Sequence, residues 1–188
     1  MKIAVYCSSM DNLPDNWQEG ARAVGTWIGK NKFQLVYGGV DAGLMCVAAR
    51  ACKNAGGTVV GIVPTRRANQ ASPFNDVRVP TADLNDRKGV MQLLSDVFVV
   101  LPGGYGTLDE FAASFGYINF TMRRDKRVIL FNPDGIFDPL LAQLKLFVEH
   151  GLMTTAPLEA LIVATTVDQL IEALDQRKKQ HSQQQKHK

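Results

Sequence analysis

The sequence predicts a single α/β domain, doubly wound around a mainly parallel sheet. Three observations carry that expectation. Short apolar runs rich in β-branched residues alternate with longer segments whose apolar residues recur at helical spacing. Val97-Phe98-Val99-Val100-Leu101 is apolar without interruption, the pattern of a strand covered on both faces. Glycine turns stand where strand-like runs hand over to helices, at Gly38-Gly39 and again at Gly103-Gly104.

The elements follow in order. Lys2 to Tyr6 reads as the first strand, with Cys7-Ser8-Ser9 in the loop after it. Pro14 to Asn31 places Trp17, Ala21, Val24, Trp27 and Ile28 on one helical stripe. Phe33 to Tyr37 is a strand. Leu44, Met45, Val47, Ala48 and Ala51 mark the next helix, ended by Gly56-Gly57. Thr58 to Val63 is a strand stopped by Pro64, Arg66 to Asp76 a polar loop, and Val77 to Val79 a short strand. Asp83 to Ser95 fits a helix that leads into the Val97 strand. Pro102 ends that strand by removing a ladder donor, and a helix carrying Phe111, Phe115 and Ile118 is expected from Thr107. Arg127 to Phe131 is a strand closed by the turn Asn132-Pro133-Asp134-Gly135. A helix over Ile136 to His150, a strand over Leu161 to Ala164 and a helix over Val167 to Arg177 complete the chain. The domain is expected to occupy residues 1–176, with 177–188 a basic, disordered tail.

Composition narrows the function classes. The chain has 188 residues, 46% of them hydrophobic, enough for one sizeable core. The net charge of +3 is misleading, because five of the 21 Lys and Arg lie after Gln176, where there are no acids. Removing them leaves 16 basic against 18 acidic residues, so the body gives no electrostatic case for nucleic acid. No apolar run is long enough to span a membrane. The first strand begins at once and leaves no room for a signal peptide, and Cys7, Cys46 and Cys52 lack metal-type spacing, so a reducing cytoplasm is expected. His150, His181 and His187 fall late in the chain, away from every motif, which argues against His-dependent nucleophilic catalysis and a His-rich metal site.

The Val97 strand, the turn containing Gly103, Gly104, Tyr105 and Gly106, and the helix behind Thr107 together make a recipe for binding phosphate. Free amides and the helix dipole point at the anion. The turn has neither a Walker lysine nor a full dinucleotide fingerprint. In a doubly wound sheet ligands bind beyond the carboxyl ends of the strands, which gathers Ser8, Ser9, Gly38, Gly39 and the Pro102–Thr107 turn on one edge. Glu110 has a structural alternative: Thr107-Leu108-Asp109-Glu110 has the form of a capping box, with Glu110 reaching back to the N-cap amide. The residues alone favour that alternative over catalysis. Arg87 and Lys88, taken alone, are an exposed basic pair on a helix.

The ten residues Leu101 to Glu110 resemble the Pro-Gly-Gly-x-Gly-Thr-x-x-Glu motif of the Lonely Guy (LOG) family, cytokinin riboside 5'-monophosphate phosphoribohydrolases. The resemblance extends from Ile3 to about His150. Tyr37 to Met45 is similar to the family's second glycine turn, with Val40 for its third glycine and Cys46 for its last. Arg87-Lys88 matches the family's Arg-Lys, with Leu84-Asn85 where the family has Met-His, and Ser8-Ser9 matches its Gly-Ser-Ser, with Cys7 for the glycine.

The resemblance implies a Rossmann-like fold, usually a homodimer. It implies hydrolysis of the N-glycosidic bond of AMP or an N6-modified AMP to free base and ribose 5-phosphate, with no metal and no organic cofactor. Glu110 and Arg87 would be catalytic. Ser8, Ser9, Gly38, Gly39, Lys88, Gly103, Gly104, Tyr105, Gly106 and Thr107 would bind substrate. A non-catalytic nucleotide or molybdenum-cofactor carrier of the same fold is the alternative.

Overall fold

The structure is a computed structural model that describes residues 1–123 and 125–186. Its strands are β1 (Lys2–Tyr6), β2 (Gln34–Tyr37), β3 (Thr58–Pro64), β4 (Val77–Thr81), β5 (Val97–Val100), β6 (Arg127–Phe131) and β7 (Leu161–Ala164). Its helices are α1 (Asp15–Lys30), α2 (Gly43–Asn54), α3 (Leu84–Leu94), α4 (Tyr105–Phe120), α5 (Asp138–Glu149) and α6 (Val167–Lys186). The seven strands form one sheet in the order β4-β3-β2-β1-β5-β6-β7, and every described pairing is parallel. The expected doubly wound, Rossmann-like architecture is therefore observed.

Period-two alternation sorts the core into two layers. Ile3 and Val5 of β1 face α1, α2 and α6, joined by Leu35, Val59, Val99 and Ile129. Ala4 and Tyr6 face the layer of α3, α4 and α5, joined by Val36, Ile62, Phe98 and Leu130. The chain leaves β1 toward β2 and leaves β5 toward β6, so the winding reverses between two neighbouring strands. The helices that follow these strands, α1 and α4, cover opposite faces, and a crevice opens above the carboxyl ends of β1 and β5.

Some boundaries differ from the sequence expectation. Helix α4 starts at Tyr105 with Gly104 as its N-cap, two residues before Thr107. The segment Thr65–Gln70 forms a 3-10 helix within the expected loop, and another covers Ala156–Ala160. Helix α5 begins at Asp138 instead of Ile136, because Gly135 turns the chain at φ +70°. The largest correction is at the end. The expected tail 177–188 is helical as far as Lys186, and residues 187 and 188 lie outside the described residues. Lys, Gln and Arg are good helix formers. Arg177 also leaves solvent: it is 5% exposed, and its guanidinium donates to the main-chain oxygen of Asp125 and to the Gln180 side chain.

Helices α1 and α2 approach closely because glycine lines their contact. A Cβ built on Gly25 would lie 2.2 Å from the carbonyl oxygen of Ala48, whereas one on Gly89 of α3 would meet nothing within 4 Å. Gly25→Ala is therefore expected to lower stability by about 1–3 kcal/mol through overpacking. Gly89→Ala is expected to raise it by about 0.5–1 kcal/mol through helix propensity. Urea unfolding midpoints of the two variants check the contrast.

Candidate active site

Ser8 is the node where the crevice is pinned. Its N–H donates to Pro102 O at 3.1 Å, its carbonyl accepts from Leu44 N at 3.0 Å, and its Oγ accepts from Met10 N at 3.0 Å. One buried residue after β1 thus holds the turn after β5 and the start of α2, while Ser9 is exposed. The close approach needs glycine at Gly43, which has φ +49° and no room for a Cβ against the carbonyl oxygens of Met10 and Ser8. Val40, standing where the LOG motif has glycine, needs no positive φ; its neighbour Gly39 takes φ +72°.

The three glycines of the β5–α4 turn divide by role. A Cβ on Gly103 would collide with Thr107 and the Ser8 nitrogen, so this glycine serves packing. A Cβ on Gly104 or Gly106 would meet nothing within 4 Å. These two leave the backbone bare toward solvent. The amides of Gly104, Tyr105, Gly106 and Thr107 precede the first intrahelical bond, which Leu108 N donates to Gly104 O at 3.0 Å, and no side chain caps the helix. Tyr105 is 93% exposed, while Thr107 is buried. The amides, the dipole and the open space in front suit an anionic group.

The observed N-cap rules out the capping box. Counted from Gly104, Thr107 is N3 and Glu110 lies beyond the first turn, out of reach of the N-cap amide. Its carboxylate instead meets Arg87, whose Nη2 donates to Glu110 Oε1 at 2.6 Å. Asp83 starts α3 by accepting from Asn85 N and Asp86 N, which sets the helix phase that sends Arg87 toward α4. Gly38 makes space for the guanidinium: a Cβ there would lie 3.1 Å from Arg87 Nη1. Arg87 Nε is buried without a hydrogen-bond partner, so the side chain keeps unused donor capacity.

Burial pushes the Glu110 carboxyl up to about 7, outweighing the opposing pull of Arg87; Asp109 adds to the rise and Lys88 offsets it. Lys88 does not reach into the crevice unpaired, because its Nζ is 2.7 Å from both carboxylate oxygens of Asp109. Below the pair, Tyr6 OH and Ser114 Oγ share a buried 2.8 Å hydrogen bond, a support that the sequence reading did not identify. Ser114 stands one helical turn after Glu110, which is the signal that could have found it. Burial drives the Cys7 thiol far above its ordinary range, so it supplies no thiolate. Among the described residues, no group of three or more His, Cys, Asp or Glu could hold a metal ion.

The structure thus brings Ser8, Gly103 and Thr107 together, and separately joins Gly38, Arg87 and Glu110. Gly39, also buried, pairs with the loop after β3, its carbonyl accepting from Ser72 N and Asn75 Nδ2. The model of the SLOG cluster4 family matches residues 1–171 of this sequence. The chain belongs to the SLOG cluster4 family. A probable cytokinin riboside 5'-monophosphate phosphoribohydrolase of Oryza sativa subsp. japonica is 32% identical over 96% of this chain and 74% of its own length. A cytokinin riboside 5'-monophosphate phosphoribohydrolase of Arabidopsis thaliana is 33% identical over 93% of this chain and 82% of its own. The likeness to Lonely Guy proteins drawn from Leu101–Glu110 is borne out across most of the chain. Among solved structures, the molybdenum cofactor binding protein of Rippkaea orientalis superimposes with a TM-score of 0.72 at 27% identity, covering 93% of this chain and 95% of that one. This SLOG chain therefore shares its fold with proteins of two different kinds.

The raised Glu110 carboxyl makes stability depend on pH. Its pKa is higher folded than unfolded, so its contribution is full below the unfolded value of 4.5 and is lost as pH rises through about 7. Glu110→Gln removes that dependence. Wild type is expected to lose stability relative to Glu110→Gln between about pH 5 and about pH 8, as read from urea midpoints.

Proposed function

We propose that this chain hydrolyses the N-glycosidic bond of a nucleoside 5'-monophosphate, AMP or an N6-modified AMP, to free base and ribose 5-phosphate. The observation that carries the reading is the partly buried Arg87–Glu110 pair beside the uncapped N-terminus of α4. The names of the plant relatives support the same reaction. The 5'-phosphate sits on the amides of Gly104 to Thr107, with Gly104 and Gly106 allowing its approach. Remote phosphate binding then fixes the ribose and is converted into positioning at the reacting bond.

Bond cleavage builds positive charge on the ribose, as in other glycoside hydrolyses. Ionised Glu110 stabilises that charge and orients or deprotonates the attacking water. Arg87 holds phosphate or ribose oxygens with the donors that Glu110 leaves unused. Ser8 and the glycines at Gly38 and Gly103 shape the crevice wall, and Ser9 is open to substrate.

The molybdenum-cofactor proteins of the same fold keep a second reading, a non-catalytic carrier of a nucleotide or of molybdenum cofactor. Incubation with AMP and an assay for ribose 5-phosphate separates the two. We further propose a cytoplasmic homodimer. Leu93, Phe120 and Met122 are 72%, 90% and 72% exposed, and a second copy covering them would remove that apolar surface from water.

Glu110→Gln keeps an acceptor for Arg87 but cannot ionise. The variant is expected to fold, bind AMP and lose turnover by roughly 10²–10⁴. Normal turnover in this variant would refute the assigned role. Since the reaction uses the ionised carboxylate, kcat/KM of the wild type is expected to rise with pH through about 7. Adenosine is expected to be a far poorer substrate than AMP; equal rates would mean that the α4 amides have no part in catalysis.

A further inference from the structure

A cavity of about 260 Å³ lies at the β3–β4 end of the sheet, outside the crevice. Its floor is Val63 of β3, beside its register partner Pro80 of β4. By strand alternation Val63 shares a face with Val59, on the α1–α2 side of the sheet, opposite the layer of α3 and α4. The 3-10 helix Thr65–Gln70 arches over this end of the two strands and contributes Thr65 and Ala68, and Ala71 follows it. The lining is thus Val63, Ala68, Ala71 and Pro80, with Thr65 and Arg78 as its polar members.

The charge around this cavity has one sign. Between Pro64 and Ala82 stand three arginines, Arg66, Arg67 and Arg78, and a single acid, Asp76. Asp76 is already engaged, accepting from Lys53 Nζ and from Val59 N. The three arginines are exposed, and among the described residues none of them forms an ion pair. An apolar floor with a guanidinium at its rim suits an anion that carries an apolar body. The volume lies just below the roughly 300–1,000 Å³ of drug-sized sites, so that body is small. A planar guanidinium fork matches a carboxylate. A phosphate would leave most of its oxygens against Val63, Ala68, Ala71 and Pro80.

We propose that this cavity is an effector site for a small apolar monocarboxylate, whose carboxylate pairs with Arg78 and whose body rests on Val63, Ala71 and Pro80. The site shares its walls with the rim of the crevice. Ala71 forms a backbone bridge with Val40. Ser72 N and Asn75 Nδ2 both donate to Gly39 O, at 2.8 and 3.0 Å. A Cβ built on Gly39 would lie 2.4 Å from Val63 Cγ2, so the floor of the cavity touches the glycine turn. Gly38, the preceding residue, backs the Arg87 guanidinium. A ligand that displaces Ala71 or Val63 therefore displaces the turn that seats Arg87, because close-packed contacts leave no slack to absorb the shift.

The test titrates hexanoate into the full chain near neutral pH and follows backbone amides by nitrogen-15 NMR. Acetate keeps the charge without most of the body, and 1-hexanol keeps the body without the charge. Arg78→Gln removes the guanidinium, and Ala68→Leu fills the cavity. Both positions are exposed, so both variants are expected to fold. Hexanoate is expected to shift the amides of Val63, Ala68 and Ala71 saturably, together with those of Gly39 and Val40. Arg78→Gln is expected to weaken binding roughly tenfold or more. Ala68→Leu is expected to abolish saturable binding, and acetate and 1-hexanol to bind far more weakly than hexanoate.

No saturable shift with hexanoate, or an unchanged affinity in Arg78→Gln, would overturn the site. So would 1-hexanol binding as tightly as hexanoate, since the cavity would then be an apolar crease without a charge preference. Shifts confined to Val63, Ala68 and Ala71, with Gly39 and Val40 unmoved, would overturn the effector role. None of these readouts needs turnover, so they decide the matter whether or not the chain cleaves AMP.

Discussion

Burying a carboxylate against the apolar face of a sheet raises the free energy of its charged form, and at Glu110 this penalty outweighs the attraction of a guanidinium 2.6 Å away. The neighbouring structure is built around that imbalance. Gly38 gives up its side chain so that Arg87 fits, Asp83 sets the phase of the helix that presents Arg87, and the Tyr6–Ser114 hydrogen bond braces α4 from below. The result is a carboxyl that changes charge near neutral pH next to an arginine with donors to spare. That combination suits a group that must be ionised during a reaction and is held in a water-poor setting before it.

The scaffold contributes a crevice and, at its rim, the uncapped N-terminus of α4. Parallel pairing between β1 and β5 puts their carboxyl ends side by side, and the reversal of winding there sends α1 and α4 to opposite faces. Ser8 then ties the turn after β5 to the start of α2 through main-chain hydrogen bonds, so both glycine turns belong to one rigid rim. Glycine plays distinct parts along that rim. Gly103 and Gly43 permit chain segments to touch, whereas Gly104 and Gly106 expose amides to whatever occupies the crevice.

Fold by itself does not select the activity. The chain is about equally long as a molybdenum cofactor binding protein and superimposes on it over nearly its full length, while its curated plant relatives are named as phosphoribohydrolases. A carrier needs the anion site and the crevice. A hydrolase needs, in addition, a carboxylate placed where charge develops. Glu110 together with Arg87 is the feature that favours the hydrolase.

Much of the architecture was determined locally. Unbroken apolar runs such as Val97–Leu101, rich in β-branched residues, read as strands covered on both faces, and their alternation with helical stripes implies a parallel, doubly wound sheet. The glycine turn and its likeness to the Leu101–Glu110 motif family were likewise legible, because they depend on residues adjacent in the chain. The end of α6 was misread, because the fate of Arg177 depends on the Asp125 carbonyl, remote in sequence. The role of Glu110 was also a tertiary matter. As part of Thr107-Leu108-Asp109-Glu110 it has the form of a helix cap, and only the actual start of α4 at Tyr105 removes that option. Its partner Arg87, the bare Gly38 beneath it and the Lys88–Asp109 ion pair come from separate elements. The sequence by itself thus determined the elements, their layering and the glycine turn that leads into α4. The tertiary structure decided which charges meet, because ion pairing and desolvation depend on distance and burial across elements that sequence spacing does not encode.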